Sequence, residues 1–160
     1  MNKDIAILGG LALLAFVVGG SIFFFGLKTT NTSLPVSVIA QGTNASVLTR
    51  SNYVIKNESD WQQFKTLFDG TSGSPLPTID FSKEQALAVF AGAEPTGGYR
   101  IEVSKITDST QKRTIDVTIS TPGPHCTVTQ AQTSPYEIVV VPATSLPLMH
   151  VDTTKVSSCQ

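Results

Sequence analysis

Two neighbouring segments of alternating polarity constrain the fold of this chain most strongly. They read "YRIEVSKITD" (99–108) and "RTIDVTIST" (113–121), and in each of them apolar residues alternate with polar ones. Successive side chains of a β-strand point to opposite faces of a sheet, so each segment offers one face to a core and one to solvent. Only "STQK" (109–112) separates the two segments. We therefore predict two antiparallel strands joined as a hairpin.

Further short segments are rich in β-branched or apolar residues and also predict strands. Continuous apolar runs at Leu87–Gly92 and in "YEIVVVPA" (136–143) indicate central, buried strands. The segment "HVDTTKV" (150–156) is more polar and is predicted as an edge strand. Other strands are predicted at 35–40, at 47–56 and, in "HCTVTQA", at 125–131.

One segment has the period of a helix rather than that of a strand. Residues 57–70 read "NESDWQQFKTLFDG", with large apolar side chains at helical spacing. Ser59, followed three residues later by Gln62, fits a capping box, so a helix is predicted over Asp60–Phe68. The fold class expected is mainly β: one sandwich-like or open-barrel-like domain with a single short packing helix.

The N-terminus has a different composition. Positions 5–27 form a run of 23 residues without a charge, which spans about 34 Å as a helix, enough for a bilayer core of about 30 Å. The run is too long for the core of a cleavable signal peptide, and an A-x-A-like cleavage site does not follow it. We predict a membrane anchor at 1–27, a polar linker at 28–34 and a β domain at 35–160. The charge balance around the anchor favours neither orientation, and two cysteines in the β domain favour placing that domain outside the cytoplasm.

Chemistry-bearing residues are few. A Ser–His–Asp triad is arithmetically possible, but a nucleophile motif is lacking, so an enzyme is not expected. His125, Cys126, His150 and Cys159 lack the close ligand pairs of a structural zinc site, and neither a metal nor another cofactor is expected. The net charge of −1 and the absence of a basic cluster argue against nucleic acid. The compartment favours a Cys126–Cys159 disulfide over two separate thiols.

The segment "EPTGGYRIEV" (94–103) contains the most distinctive loop of the sequence. Pro95 suits the second position of a turn, and a glycine after it can take a positive φ, so a turn anchored by Tyr99 explains the segment. A displayed loop that contacts a partner is compatible with that explanation. The candidate contact residues are those of this loop and of the later "SPY" segment: Thr96, Gly97, Gly98, Tyr99, Pro135 and Tyr136.

The order of these motifs resembles the C-terminal domain of the protease complex subunit PrcB family. The resemblance rests on five elements in the order typical of that family, and it extends over residues 36–143. It implies a non-catalytic accessory module outside the membrane that associates with a secreted protease. The elements are Asp80–Lys83, Pro95–Tyr99, Pro122–Gly123, Thr129–Gln130 and Pro135–Tyr136.

A weaker resemblance concerns the loops alone. "EPTGGY" and "SPYE" are similar to the N-P-T-T-G-Y and R-P-W loops of chagasin-like inhibitors of cysteine proteases. Several positions differ: Glu94, Gly97, Ser134 and Tyr136 replace the Asn, Thr, Arg and Trp of that pattern. Three functions therefore stay open: a protease accessory module, a protease inhibitor and a structural domain of the cell surface.

Overall fold

The computed structural model describes residues 13–18, 21–26, 31–68 and 75–158 of the chain. These residues form ten strands and one helix. The strands are β1 Leu13–Val18, β2 Ser21–Gly26, β3 Thr32–Ser33, β4 Ser37–Gly42, β5 Ser51–Ile55, β6 Glu84–Phe90, β7 Arg100–Asp108, β8 Arg113–Pro122, β9 Tyr136–Pro142 and β10 Leu148–Ser157, and the helix is α1 Glu58–Leu67.

The β domain consists of two four-stranded sheets. The β7 sheet has the order β10-β8-β7-β3, and the β6 sheet has the order β4-β9-β6-β5. Leu87 and Val139 of the β6 sheet share one apolar cluster with Ile106 and Ile115 of the β7 sheet, so the two sheets pack face to face. The predicted mainly β fold with one short helix is confirmed, and of its two predicted forms the structure has the sandwich.

The helix covers the other face of the β6 sheet. Trp61 and Phe64 of α1 pack in a second cluster with Phe90 of β6 and Ile138 of β9. Strands β6 and β9 are consequently buried on both faces, which explains their continuous apolar sequences. The prediction that both strands are central is confirmed.

The predicted hairpin is formed by β7 and β8, which pair antiparallel from Arg100–Ser120 to Asp108–Arg113. The register shifts between Val103 and Lys105. Such a bulge adds one residue to a strand and restores the inward direction of the side chains that follow. It explains why Ile106 is buried although its spacing from Val103 breaks the strict alternation.

The helix begins slightly earlier than its sequence pattern predicts. Asn57 caps it: its side-chain oxygen accepts a hydrogen bond from the Asp60 backbone N–H at 2.9 Å, and its Nδ2 donates to the Asp60 carboxylate at 2.8 Å. The predicted cap at Ser59 is wrong, because Ser59 already lies within the first turn. Asn and Ser are comparable N-cap residues, so the capping-box motif alone did not locate the start of the helix.

One predicted strand is absent, and two other segments pair in ways that the local patterns did not predict. The segment 125–131 contains no strand; its backbone serves loop contacts instead, such as the bond from the Gly97 N–H to the Thr129 carbonyl at 2.9 Å. Thr32–Ser33, which fall in the predicted linker, pair with Thr107 and Asp108 as β3. The edge position of β10 is confirmed, but β10 runs parallel to β8 and is joined to β9 by the crossover segment 143–147.

The predicted membrane-spanning helix is not found where the structure describes the apolar run. Leu13–Val18 and Ser21–Gly26 form two antiparallel strands, paired from Leu13–Gly26 to Val18–Ser21. Among the described residues, no helix has the length and apolar character needed to cross a membrane. Residues 1–12, 19–20 and 27–30 of the predicted anchor and linker lie outside the described residues.

Candidate functional site

Loops from both sheets gather at one end of the sandwich, which we call the loop end. It is defined by the segments 43–50, 91–99 and 123–135. The ends of β4 and β6 meet the starts of β5 and β9 there, through the pairs Gly42–Tyr136 and Phe90–Ser51. The predicted contact residues all lie at this end.

The Pro95–Tyr99 loop rests on the segment that follows β8. Glu94 and Thr133 exchange two backbone hydrogen bonds of 2.8 and 2.9 Å, and the Thr133 hydroxyl donates to the Thr96 carbonyl at 2.8 Å. Pro95 is exposed at the tip, whereas Gly97 is buried beneath it. The loop is therefore held in one conformation by its neighbour, with its tip towards solvent.

Close packing explains both glycines. A Cβ atom on Gly97 would lie 2.3 Å from the Thr129 Oγ1 atom. Gly98 has a φ of +87°, and a Cβ there would lie 2.8 Å from a Val128 methyl carbon and 3.0 Å from Pro122. The turn and its close packing are therefore enough to explain why glycine occupies both positions. Contact with a partner would involve the exposed residues of the loop.

Tyr99 stands where the loop enters β7, and it is half-buried. Together with Arg100 and Ile101 it lines a cavity of about 230 Å³, whose other wall is Gln41–Thr43 at the end of β4, with Tyr136 also in contact. The predicted neighbours Tyr99 and Tyr136 are therefore brought together. This cavity is smaller than the pockets of about 300–1,000 Å³ that hold drug-sized ligands.

Pro135 and Tyr136 do not form an exposed edge. Pro135 is buried, and its carbonyl accepts a hydrogen bond from the Ala91 N–H at 2.9 Å. Tyr136 is 3% exposed, and its ring packs against Phe68 and Phe90 at centroid distances of 4.9 and 6.2 Å. Their role in a contact stays a prediction, which this burial disfavours because a partner cannot reach either side chain directly.

An apolar groove that the sequence did not predict lies beside the Pro95 loop. The groove has a volume of about 330 Å³ and is lined by Asn44–Ser46, Leu48 and Gln132–Ser134. Leu48 is 59% exposed, and its carbonyl is fixed by the Ala93 N–H at 3.0 Å. A single apolar residue in a polar loop is no sequence signal, and only the fold shows that Leu48 borders a groove.

One charged group lies inside the sandwich near the loop end. Glu137 of β9 is 5% exposed, and its carboxylate accepts a hydrogen bond of 2.7 Å from the Val103 N–H at the bulge of β7. Burial raises the pKa of this carboxyl, and nearby Glu102 raises it further, while the Val103 N–H and Arg100 act in the opposite direction. The side chain bridges the two sheets, and the apolar run of β9 gave no reason to expect a buried carboxyl group there.

The residues considered for catalysis or metal binding are dispersed. His150 lies on β10, and His125 lies in the loop after β8. In the described part of the chain, no group of three histidine, cysteine or acidic side chains is arranged to hold a metal ion. The sulfur atom of Cys126 lies 3.9 Å from the carbonyl oxygen of Ser157. Cys159 lies outside the described residues, so its disulfide with Cys126 stays a prediction.

Comparison with known proteins bears on the central part of the chain. Residues 86–142 match the family model described as PrcB C-terminal. The matched segment runs from β6 through the β7–β8 hairpin to β9, and it includes the Pro95–Tyr99 and Pro135–Tyr136 motifs. The search of curated proteins and the search of solved structures returned no match.

Proposed function

We propose that this chain, whose residues 86–142 carry the PrcB C-terminal domain, is a non-catalytic accessory module that binds a secreted or envelope protease. The family match supports association with a protease complex. The loop end is the proposed binding surface, because the apolar groove beside Leu48 adjoins the exposed Pro95 there. Protein-binding surfaces combine an apolar core with a polar rim, and Leu48 beside Asn44 and Gln132 offers that combination in the groove.

Placement outside the cytoplasm and attachment to a membrane belong to the same proposal. The support for attachment is the uncharged run at positions 5–27, which is hydrophobic enough to enter a bilayer. The support for a Cys126–Cys159 bridge is the position of Cys126 beside Ser157, two residues before Cys159. Such a bridge forms in oxidising compartments, which agrees with an extracytoplasmic domain.

The test is co-purification of a protease from the membrane fraction of the native host, with the full-length chain as bait. Leu48→Asp places a charge in the groove and should reduce the captured protease on the order of tenfold, a change of about 1.4 kcal/mol in binding. The matched control is Val38→Asp on β4, since Val38 is 50% exposed but lies away from the loop end. Gly97→Val is unsuitable because it would collide with Thr129 and distort the loop.

The outcomes separate the three functions. An accessory module leaves the activity of the captured protease unchanged or raised when purified chain is added. A fall in activity on titration identifies an inhibitor instead. Equal capture by the wild type, Leu48→Asp and Val38→Asp would contradict the loop end as the binding surface, and failure to recover any protease would favour a structural domain.

A further inference from the structure

The outer edge of β10 is a second surface with the properties of a binding site. β10 is the last strand of the β7 sheet, and it pairs with β8 over all ten of its residues, so one of its two edges is occupied. Every residue from Val151 to Val156 is exposed. The register with β8 is continuous, without a bulge, and β10 contains no proline. Long, regular edges of this kind readily accept another strand.

This edge carries one charge that is compensated within the chain and one that is not. β10 contains two ionised residues, Asp152 and Lys155. Asp152 is neutralised by Arg50, whose guanidinium donates two hydrogen bonds of 2.7 and 2.9 Å to its carboxylate. Lys155 is exposed and forms no ion pair with any residue of the described ranges. The edge therefore carries one uncompensated positive charge, which favours an acidic partner.

A pocket lies where β10 reaches the loop end. It has a volume of about 420 Å³ and is lined by Gly123–His125 and Val156–Ser158. Val156 is 69% exposed, more than any other large apolar side chain among the described residues. Val156 and the preceding Lys155 point to opposite faces of the sheet, so a strand added to β10 would place one side chain beside each.

We propose that the outer edge of β10 binds an extended segment of a partner polypeptide, which adds to the β7 sheet antiparallel to β10. The backbone of the edge supplies the hydrogen bonds, and the pocket at Val156 supplies specificity, as in other cases of strand addition. Antiparallel pairing is slightly more stable per residue than parallel pairing. It places directly opposite residues on the same face. The segment consequently carries an apolar residue opposite Val156, followed by an acidic residue opposite Lys155.

This inference extends the proposed function, because the segment would belong to the same partner as the surface bound at the loop end. The two can fail separately. The proposed function is tested by capture of a protease and by Leu48→Asp, whereas the inference is tested with a defined peptide and does not need the protease.

The probe is the capped peptide acetyl-TVTIETVT-amide, in which Ile is aligned with Val156 and Glu with Lys155. It is added at up to about 1 mM to the full-length chain in detergent micelles, a concentration that detects binding near −4 kcal/mol. We expect slower amide hydrogen exchange at alternate residues of β10 and little change at β4 and β5. The same peptide with N-methyl groups on the amides that face β10 should give no protection.

Charge exchange tests the chemistry of the segment. Lys155→Glu should weaken binding of the peptide about twofold to fivefold, as expected for an exposed ion pair, and a peptide with Lys in place of Glu should restore it. The control Lys105→Glu makes the same charge change at an exposed residue of β7. It should not alter the preference of the chain between the two peptides. Without this reciprocal exchange, the acidic position of the segment is wrong.

Three results would overturn the proposal. Protection at another strand edge, with β10 unchanged, would place the site elsewhere. Absence of any protection at the highest peptide concentration would show that the edge does not accept a strand. A dimer in sedimentation experiments that buries β10, and that persists in the presence of peptide, would identify a second copy of the chain as the occupant.

Discussion

The two faces of the β6 sheet are covered in different ways. On one face the contacts are aliphatic: Leu87 and Val139 meet Ile106 and Ile115 of the β7 sheet. On the other face a helix of ten residues covers the sheet together with neighbouring loop residues. The largest side chains there are aromatic: Trp61, Phe64, Phe68, Phe90 and Tyr136.

The difference follows from the area that each partner can cover. A second sheet lies about 10 Å away and matches the first strand by strand, so branched aliphatic residues suffice. One short helix contacts only a narrow stripe, and larger side chains must extend from it and from the sheet. Trp61 and Phe64 stack with centroids 5.6 Å apart, and Phe64 and Phe68 with centroids 5.7 Å apart. The aromatic face therefore concentrates its stability in fewer, larger side chains.

The largest expected loss of stability comes from removing one of these large aromatic side chains. Trp61 is fully buried, and its indole N–H donates to the Pro77 carbonyl at 3.3 Å. Trp61→Ala should lower the free energy of unfolding by about 3–5 kcal/mol, and Leu87→Ala on the aliphatic face by about 2–5 kcal/mol. Urea denaturation measures both variants, with the exposed helical substitution Gln63→Ala as control. If Trp61→Ala costs no more than Gln63→Ala, the helix does not hold the aromatic face.

An intermediate effect is expected at the start of the helix that carries the aromatic face. Asn57→Ala removes the capping oxygen and should destabilise the domain by about 1 kcal/mol. Ser59→Ala is the matched control, since Ser59 is exposed within the first turn, and it should change stability by less than about 0.5 kcal/mol. Thermal unfolding followed by circular dichroism compares the two. Equal losses would mean that Ser59 shares the capping role.

The smallest effect concerns Glu137, an acidic side chain buried on the aliphatic face. The pKa of Glu137 is raised in the folded state, mainly by burial. At pH values between the ordinary pKa of a glutamate and this raised pKa, the folded state therefore binds more protons than the unfolded state. The contribution of this group to stability is therefore greatest at low pH and is lost as the pH rises through the raised pKa. Glu137→Gln keeps an oxygen for the Val103 N–H and should remove this dependence.

The measurement is the difference in unfolding free energy between the wild type and Glu137→Gln from about pH 4 to pH 8. Taking the difference removes the parallel contribution of Glu94, whose pKa burial also raises. We expect the variant to gain stability relative to the wild type as the pH rises. Curves that stay parallel across the range would show that Glu137 titrates as an ordinary surface carboxyl does.

Most of the architecture could be predicted from local patterns. The β7–β8 hairpin follows from alternation, the central strands follow from continuous apolar runs, and the helix follows from the spacing of its aromatic residues. The family resemblance is confirmed over residues 86–142. These features are predictable because the buried face of a strand or a helix recurs with a fixed period, which appears as a pattern of apolar residues close together in the sequence.

The candidate site was less predictable. The motif "PTGGY" predicted a glycine turn, which the structure contains, but Pro135 and Tyr136 are buried rather than displayed. Leu48 and its groove gave no sequence signal. A turn motif indicates how the backbone bends, but not which of its side chains another segment of the chain will cover.

Local sequence accounts for the periodicity of the strands, the helix that carries the aromatic rings and the position of the glycine turn, since each depends on residues close together in the chain. The contacts of Gly97 and Gly98 with Thr129 and Val128, the place of Tyr136 on the aromatic face and the parallel pairing of β10 with β8 follow from tertiary packing. These contacts depend on which distant segments become neighbours when the two sheets pack. A local pattern of residues does not predict which segments those will be.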